Sequence, residues 1–342
     1  MRHSFFTRTV LWVILLFITA CSSDGIGTRE DVRATPVSSP ERVFNAVVGV
    51  YASVPDKAHT AQTLGTRRQG SGIIIDSEGL ILTIGYLIVE ADKITVLGSD
   101  GNPVPADYVA YDHETGFGLV RARKLVKPVS VRFGDSKHLN VGNRVLAISY
   151  EGHQPVVATK VVSRRSFAGS WEYLLDNAIF TSPAIDEFGG AALLGADGRL
   201  LGIGSLFVND AAPSGRPVYG NMFVPIDALK PILADLITSG RRRSPAQPWL
   251  GIYPETAQGR VYISRLAAGG PGETAGLEPG DVIMGVAGKR VRDMEDFFRK
   301  VRNQGEAGVE VPLDILKMDS VDLNIRAVKV RSQDRHDRLF SR

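Results

Sequence analysis

The sequence predicts a mainly β protein in two folded units, a β-barrel or sandwich followed by a smaller α+β domain. Short apolar runs of strand length, broken by Gly and Asp turns, fill the first unit, and no long helical periodicity separates them. In the second unit, strand-like runs alternate with short helical ones. With 342 residues, of which 44% are hydrophobic and 23% charged, the chain is long enough for two or three globular domains.

The elements can be placed in order. In the first unit, strands are predicted at residues 47–54, 72–75, 94–97, 145–148, 156–162 and 200–206. Residues 226–239 are predicted to be a helix, because Ile226, Leu229 and Leu233 lie on one helical face and Gly240 supplies a stop signal. In the second unit, we expect strands at 259–263, 282–286, 310–317 and 321–330, and helices at 274–276 and 294–302.

The N-terminus has the pattern of a secretion signal. Arg2 and Arg8 precede an apolar run at residues 10–20, which is shorter than the roughly 20 residues that a membrane-spanning helix requires. The run ends in the sequence ITAC, with its cysteine at Cys21. This ending resembles the bacterial lipobox, in which a signal peptidase cuts just before an acylated cysteine.

The lipobox resemblance implies the arrangement of the N-terminal segment. Residues 1–20 are expected to be a lipoprotein signal peptide, Cys21 to carry lipid, and residues 21–41 to be a Ser- and Pro-rich tether. The protein would then face the periplasm, anchored to a membrane of the bacterial cell envelope. An ordinary signal peptide with an incidental cysteine is the alternative interpretation.

Composition excludes several classes of function. Lys+Arg 40 against Asp+Glu 37 gives a net charge of +3, too small a surplus for a general nucleic-acid binder. The single cysteine excludes an internal disulfide. The histidines have no zinc-site spacing, and no Gly-rich phosphate loop follows a predicted strand. The sequence therefore predicts neither a metal nor another cofactor.

The second unit resembles the PDZ domain of bacterial envelope proteases over residues 249–331, most clearly in the segment AGLEPGDVI at 275–283. In that family, backbone amides of an apolar-Gly-apolar loop hold the carboxylate of a peptide C-terminus, and the peptide adds to the sheet as a strand. The residues that match this loop are Trp249, Leu250, Gly251 and Ile252. By the same resemblance, the residues that line or support the side-chain pocket are Phe297, Phe298 and Val301, which could equally be core residues of a small domain.

The first unit resembles the trypsin-like proteases of the HtrA type. The matching segments occur in the family's order at residues 70–75, 79–83, 134–136 and 141–148. The implied fold is mainly β, a trypsin-like double β-barrel followed by an α+β PDZ domain. The corresponding boundaries are a double barrel at 42–240, a linker at 241–248 with a solvated run of arginines, the PDZ domain at 249–331 and a flexible tail at 332–342.

The resemblance does not extend to the catalytic residues. A serine protease needs a hydroxyl nucleophile, an imidazole base and a carboxylate that orients the base. Aligned with the family motifs, these positions hold Gly189, Tyr86 and Gly116. A register slip of one residue would place Phe188 at the nucleophile position instead, and neither residue can attack a carbonyl group. The sequence therefore predicts no catalytic residues.

A displaced catalytic site would have to draw on other residues. Ser182, Ser205, His113 and His153 are the candidates, but they come from unrelated positions along the chain. An active serine endopeptidase with such a rearranged site is the alternative to a pseudoprotease. A purely structural lipoprotein is a third reading, and it predicts that the groove beside Leu250 is filled.

These observations together predict an envelope-localised HtrA-like pseudoprotease. It would act as a scaffold, adaptor or chaperone-like factor in envelope protein quality control. The expected partners are peptide C-termini or unfolded envelope proteins at the PDZ domain, the membrane through Cys21, and other copies in a homotrimer or in mixed oligomers with active HtrA proteases. No nucleic-acid partner is expected.

Overall fold

The computed structural model describes residues 40–124, 128–153, 155–317 and 324–340. The signal peptide, Cys21 and nearly all of the tether lie outside these residues and stay predictions. Within the described ranges, no helix is both long and apolar enough to cross a membrane.

The first barrel has six antiparallel strands in the order β1-β2-β3-β6-β5-β4, and it closes because β1 pairs with both β2 and β4. Its elements are α1 (Pro40–Ala46), β1 (Val47–Ser53), α2 (Ala61–Leu64), β2 (Arg67–Ile74), β3 (Leu80–Ile84), β4 (Lys93–Leu97), β5 (Pro103–Tyr111) and β6 (Phe117–Ala122). Strand β3 is apolar apart from one threonine and is buried along its whole length. A 3-10 turn at Gly85–Leu87 follows it directly.

The second barrel also closes from six antiparallel strands, in the order β10-β11-β12-β9-β8-β7. Its elements are β7 (Arg144–Ile148), β8 (Val156–Gly169), β9 (Tyr173–Ser182), β10 (Ala192–Leu194), β11 (Leu200–Val208), β12 (Gly220–Pro225) and α3 (Leu233–Ser239). The first half of β8 alternates buried and more exposed residues, as expected of a strand with one face on the barrel interior. A tight turn joins β8 to β9 and brings Trp171 and Glu172 to one end of this barrel.

The C-terminal domain is a sheet in the order β13-β14-β15-β17-β18, with β16 paired to β15. Its elements are β13 (Ile252–Ala257), β14 (Arg260–Leu266), α4 (Pro271–Thr274), β15 (Val282–Val286), β16 (Lys289–Arg290), α5 (Met294–Arg302), β17 (Glu310–Leu316), β18 (Ile325–Arg331) and α6 (Arg335–Phe340). Helix α5 is capped by the Asp293 carboxylate, which accepts from the Asp296 amide at 2.8 Å. Its buried face packs into the core of this domain.

The predicted fold class is confirmed, whereas some local predictions were wrong. The helix expected over 226–239 is divided into a 3-10 turn at Ile226–Ala228 and helix α3. Pro231 lies between the two pieces, and proline lacks the N–H that a continuous helix would use. Several strands were not among the predicted elements: β5, β6, β9, β10, β12, β13 and β16.

The segments on either side of the C-terminal domain are more ordered than the sequence predicts. Arg242, expected in a solvated run, is largely buried and forms two hydrogen bonds to the Asp112 carboxylate, at 2.7 and 2.6 Å. The tail, expected to be flexible, contains α6, and the Phe340 ring packs on Tyr108 of the first barrel. Both corrections have one physical cause, because contacts distant in sequence supply partners that local composition does not reveal.

Candidate functional site

The residue at the histidine position, Tyr86, lies in the 3-10 turn after β3. The buried side chain of Arg68 holds this turn by donating to the carbonyl oxygens of Tyr86 at 2.9 Å and Val89 at 3.0 Å. Burial raises the pKa of the Tyr86 phenol above its ordinary value. The phenol is therefore neutral near pH 7, and its O–H donates to the Ser205 carbonyl at 3.0 Å.

The residue at the serine position, Gly189, faces the same phenol. A Cβ atom at Gly189 would lie only 2.8 Å from the Tyr86 Oη. The Tyr86 hydroxyl therefore takes up the space into which a nucleophilic side chain at position 189 would extend.

The loop that carries Gly189 is fixed at both ends. Asn221, buried in β12, accepts from the Ile185 amide at 2.7 Å and donates to the Ile185 carbonyl at 3.1 Å. Further along the loop, the Gly189 carbonyl accepts from the Ser71 amide at 2.8 Å. The loop that carries Gly189 is thus held in place by hydrogen bonds from both barrels.

Gly116, predicted to stand at the aspartate position, lies next to the turn that carries Tyr86. Its carbonyl accepts a hydrogen bond from the Gly85 amide at 2.7 Å, and Gly85 directly precedes Tyr86. The three positions picked out from sequence therefore converge in space. They bring together a phenol and two glycines, which supply neither a nucleophile nor a base.

A second site lies in the loop before β13. The loop carbonyls are used within the domain, since Leu250 accepts from the Gly272 amide at 2.7 Å and Gly251 accepts from the Ala267 amide at 2.8 Å. The amides point the other way, out of the sheet. Gly251 has a φ of 70°, a left-handed conformation that a residue with a side chain rarely adopts. The loop therefore presents backbone donors to any acceptor beside it.

The acceptor beside the loop is a side chain of the second barrel. The Glu172 carboxylate accepts from the Leu250 amide at 2.9 Å and from the Ile252 amide at 2.7 Å. The Gly251 amide also lies close enough to lower the pKa of this carboxyl. Burial acts more strongly in the opposite direction and raises the pKa of Glu172 to about 7.

Comparison with family models agrees with this architecture. The model of the trypsin-like peptidase domain matches residues 70–203, and that of the PDZ domain matches residues 262–316. The chain is of the HtrA type.

Curated relatives of this HtrA-type chain are named as proteases. The Haemophilus influenzae protein "Probable periplasmic serine protease do/HhoA-like" is 29% identical over 267 residues, 73% of this chain and 56% of that protein. The Bacillus subtilis "Serine protease Do-like HtrA" is 27% identical over 278 residues, 72% of this chain and 60% of its own length. The chain thus spans little more than half the length of these relatives.

Solved structures show the same fold. The "HtrA-type protease AlgW with tripeptide" superposes with a TM-score of 0.52 at 20% identity, covering 86% of this chain and 95% of that one. The serine endoprotease from Yersinia pestis superposes with a TM-score of 0.51 at 22% identity, covering 88% and 99%. At this level of identity, the likeness establishes the fold alone.

The candidates for a displaced triad do not come together in this HtrA-type chain. The Ser182 hydroxyl donates to the Tyr219 carbonyl at 2.9 Å. His113, in the loop between β5 and β6 of the first barrel, lines a cavity together with Glu172 of the second barrel and residues of the PDZ domain, and burial there lowers the pKa of its imidazole. In the described ranges, no histidine nitrogen forms a hydrogen bond with a serine hydroxyl, and no His, Cys, Asp or Glu cluster suits a metal ion.

The remaining residues predicted for the peptide site lie in the core of the PDZ domain. Phe297, Phe298 and Val301 of α5 are all at least 95% buried, in the same apolar cluster as Leu250 and Ile252. Trp249 is also buried, and its backbone pairs with Gln333. The structure places the seven predicted residues together around the loop and α5.

Sequence reasoning missed two residues of the second barrel, Glu172 and Leu174, that pack on the PDZ domain beside the loop before β13. Leu174 of β9 belongs to the PDZ core cluster although it comes from the barrel domain. Arg299, which is partly exposed, donates to Asp176 at 2.5 Å, and Arg302 donates to the Leu174 carbonyl at 3.2 Å. Glu172 lies outside every predicted element and carries no local signal of its contact with the PDZ domain, which exists only because the two domains dock.

Proposed function

We propose that this chain is an HtrA-like pseudoprotease that acts by binding peptides or unfolded proteins in the bacterial cell envelope. The observation that carries the proposal is the contact between Tyr86 and Gly189. Tyr86 stands where the base is expected and Gly189 where the nucleophile is expected, and the Tyr86 hydroxyl occupies the space between the two positions.

The residues at these two positions determine whether the site can hydrolyse a peptide bond. Peptide hydrolysis in the trypsin fold needs a serine oxygen made nucleophilic by an imidazole. A neutral phenol with a raised pKa cannot accept that proton near pH 7, and a glycine offers no oxygen. Without both groups, only about 10³ to 10⁴ of the rate enhancement over water would survive in an intact protease scaffold.

Binding, in contrast, keeps its structural basis. The loop at Leu250 and Ile252 still presents its amides, and those amides already hold a carboxylate. Strand β13 stands at the edge of the described PDZ sheet, where a peptide strand can add. A scaffold, adaptor or chaperone-like role in protein quality control uses these features alone. Other copies of the chain or active HtrA proteases are the proposed oligomeric partners.

The test of inactivity uses the purified full chain. It should neither cleave unfolded casein nor react with a fluorophosphonate probe. Labelling that disappears on Ser182→Ala or Ser205→Ala would instead establish the competing function, a serine endopeptidase with a rearranged site. An active relative, assayed in parallel, is the positive control for both reagents.

Membrane attachment through Cys21 is proposed from the lipobox resemblance, and relatives named as periplasmic support an envelope location. Two acyl chains hold a protein firmly at a bilayer where one is marginal. The Cys21→Ser variant should therefore leave the membrane fraction in high salt. Continued membrane association of that variant would contradict lipid anchoring.

A purely structural lipoprotein is a second candidate, and the filled groove favours it. Under that proposal, Glu172 would be a permanent part of the domain interface and no peptide would bind. Pull-down with the immobilised full chain against peptides bearing free C-termini distinguishes the two, because only the binding proposal predicts capture that depends on the free carboxylate.

A further inference from the structure

We propose that the PDZ groove is closed in cis by the turn at residues 170–174, with Glu172 as a surrogate for a peptide's C-terminal carboxylate, and that a peptide binds by displacing this turn. The inference rests on the proposed function, since it concerns the regulation of the same peptide site. It requires a carboxylate in the loop, an apolar side chain in the groove, and a contact that can be released.

The carboxylate requirement is met by geometry. Both oxygens of Glu172 are used, one by each of the Leu250 and Ile252 amides. Charge-assisted hydrogen bonds from backbone amides are the interaction by which such a loop holds a peptide terminus. Glu172 also has a φ of 55°, which is uncommon for a residue with a side chain.

Leu174, two residues after Glu172, supplies the apolar side chain. Leu174 is 97% buried among PDZ residues that include Leu250, Ile252 and Phe298. The turn thus offers the groove the same two features as a free peptide terminus, a carboxylate and an aliphatic side chain. A competing peptide should therefore end in an apolar residue with a free carboxylate.

The contact is also built to be releasable. The polar links around it include the partly exposed ion pair of Arg299 with Asp176. The others are single hydrogen bonds: Ser166 to Glu295 at 2.9 Å, Arg302 to the Leu174 carbonyl at 3.2 Å and Arg335 to the Trp171 carbonyl at 2.7 Å. Next to Glu172, the two domains leave a cavity of about 30 Å³. No covalent step is involved, so release depends on competition between a peptide terminus and the Glu172–Leu174 segment for the same loop and apolar cluster.

The first experiment needs no ligand. Amide hydrogen exchange at Leu250 and Ile252 is measured in the full chain and in Glu172→Gln, whose amide side chain cannot accept from both backbone donors. If the turn protects these amides, exchange should accelerate by about tenfold or more in Glu172→Gln. The control Asp186→Asn makes the same change at an exposed loop site of the same barrel and should leave both rates unchanged. Equal rates in the wild type and Glu172→Gln would overturn the proposal.

The second experiment separates this inference from the proposed function. An array of hexapeptides with each of the twenty C-terminal residues, as free acids and as amides, is probed with the wild type and Glu172→Gln. Free acids with apolar ends should bind Glu172→Gln about tenfold or more tightly than the wild type, because the competent state is more populated. If exchange is faster in Glu172→Gln but neither protein binds free acids in preference to amides, the peptide-binding function is contradicted and the closed turn is supported. Acid-selective binding of equal strength to both proteins would support the function and contradict the closed turn.

Discussion

The two candidate sites of this molecule depend on different parts of the chain. Catalysis in the trypsin fold depends on side chains, and the phenol of Tyr86 and the glycine at position 189 supply neither a nucleophile nor a base. At the PDZ loop, the proposed recognition uses backbone amides, and substitution of side chains leaves those donors in place. A function that depends on side chains is lost by a few substitutions, whereas one that depends on the main chain persists as long as the fold does.

Substitution of Gly251 should produce the largest effect on the main-chain site. Gly251→Val forces a β-branched residue into a left-handed conformation and places a Cβ 3.3 Å from Ala267 and Pro271. When Gly251→Val is made in the Glu172→Gln background, we expect the affinity for free-acid peptides to fall by roughly 100-fold. Backbone strain and displaced amides that cost about 1–3 kcal/mol would produce a loss of this size.

Gly259→Val is the matched control for that prediction. Gly259 has the same φ of 70°, at a hairpin tip with open space around it. Peptide affinity, measured by fluorescence anisotropy, should barely change in this variant. An equal loss in both variants would show that general strain, and not the loop, sets the affinity.

A double-mutant cycle tests the side-chain site. Gly189→Ala adds only a Cβ, 2.8 Å from the Tyr86 Oη, and should destabilise the fold by about 1–3 kcal/mol in urea unfolding. In a Tyr86→Phe background the nearest remaining ring atom is 3.7 Å away, so the same substitution should cost much less. Additive costs would mean that Tyr86 does not occupy the space in front of position 189.

The dependence of peptide binding on pH should be smaller but informative. Burial raises the pKa of Glu172 from 4.5 to about 7, so the closed turn binds a proton that the open turn releases. Closure therefore weakens as pH rises from about 5 to 7, and wild-type affinity for a free-acid peptide should increase by about tenfold over this range.

Protonation of another group near Glu172 has the opposite effect on closure. His113, whose pKa is lowered by burial, favours opening as pH falls, and Glu114, Arg302 and Arg335 line the same cavity. The Glu172 contribution is therefore the difference between the wild-type profile and that of Glu172→Gln. Parallel profiles would contradict a titrating role for Glu172.

The smallest expected effect concerns two basic residues of α5. Arg299→Ala removes the link to Asp176 of the barrel and should raise peptide affinity about twofold, as an exposed ion pair allows. Lys300→Ala breaks only a pair with Asp296 within the PDZ domain and should leave the affinity unchanged. Equal effects would show that docking by Arg299 does not contribute to closure.

Sequence reasoning reached one of these sites more completely than the other. The degenerate positions could be read from motif order, because Tyr86, Gly116 and Gly189 lie in segments whose neighbours fix the register. The loop at 249–252 could be located in the same way. Its occupant could not, because Glu172 precedes a strand that was not predicted and reaches the loop only through domain docking.

The fold shows the same limit. Strand β15 and helix α5 match their predicted bounds, since both have local periodicity and clear stop signals. The linker arginines and the tail did not behave as their composition suggests. Arg242 is charged and α6 is rich in charge, yet each finds a partner on the barrel. Contacts between residues that are far apart in the chain cannot be read from a single sequence.

The most direct test of the account is a ¹⁵N–¹H titration of the full-length Glu172→Gln protein with the tightest-binding free-acid hexapeptide of the array. We expect the Leu250, Gly251 and Ile252 amide resonances to shift with the free-acid peptide and to stay unchanged with the amidated peptide. The signals of the free peptide should persist without cleavage products. Shifts that are the same for both peptides, or hydrolysis of the peptide during the titration, would contradict the claim that this chain binds through its main chain and has lost its protease chemistry.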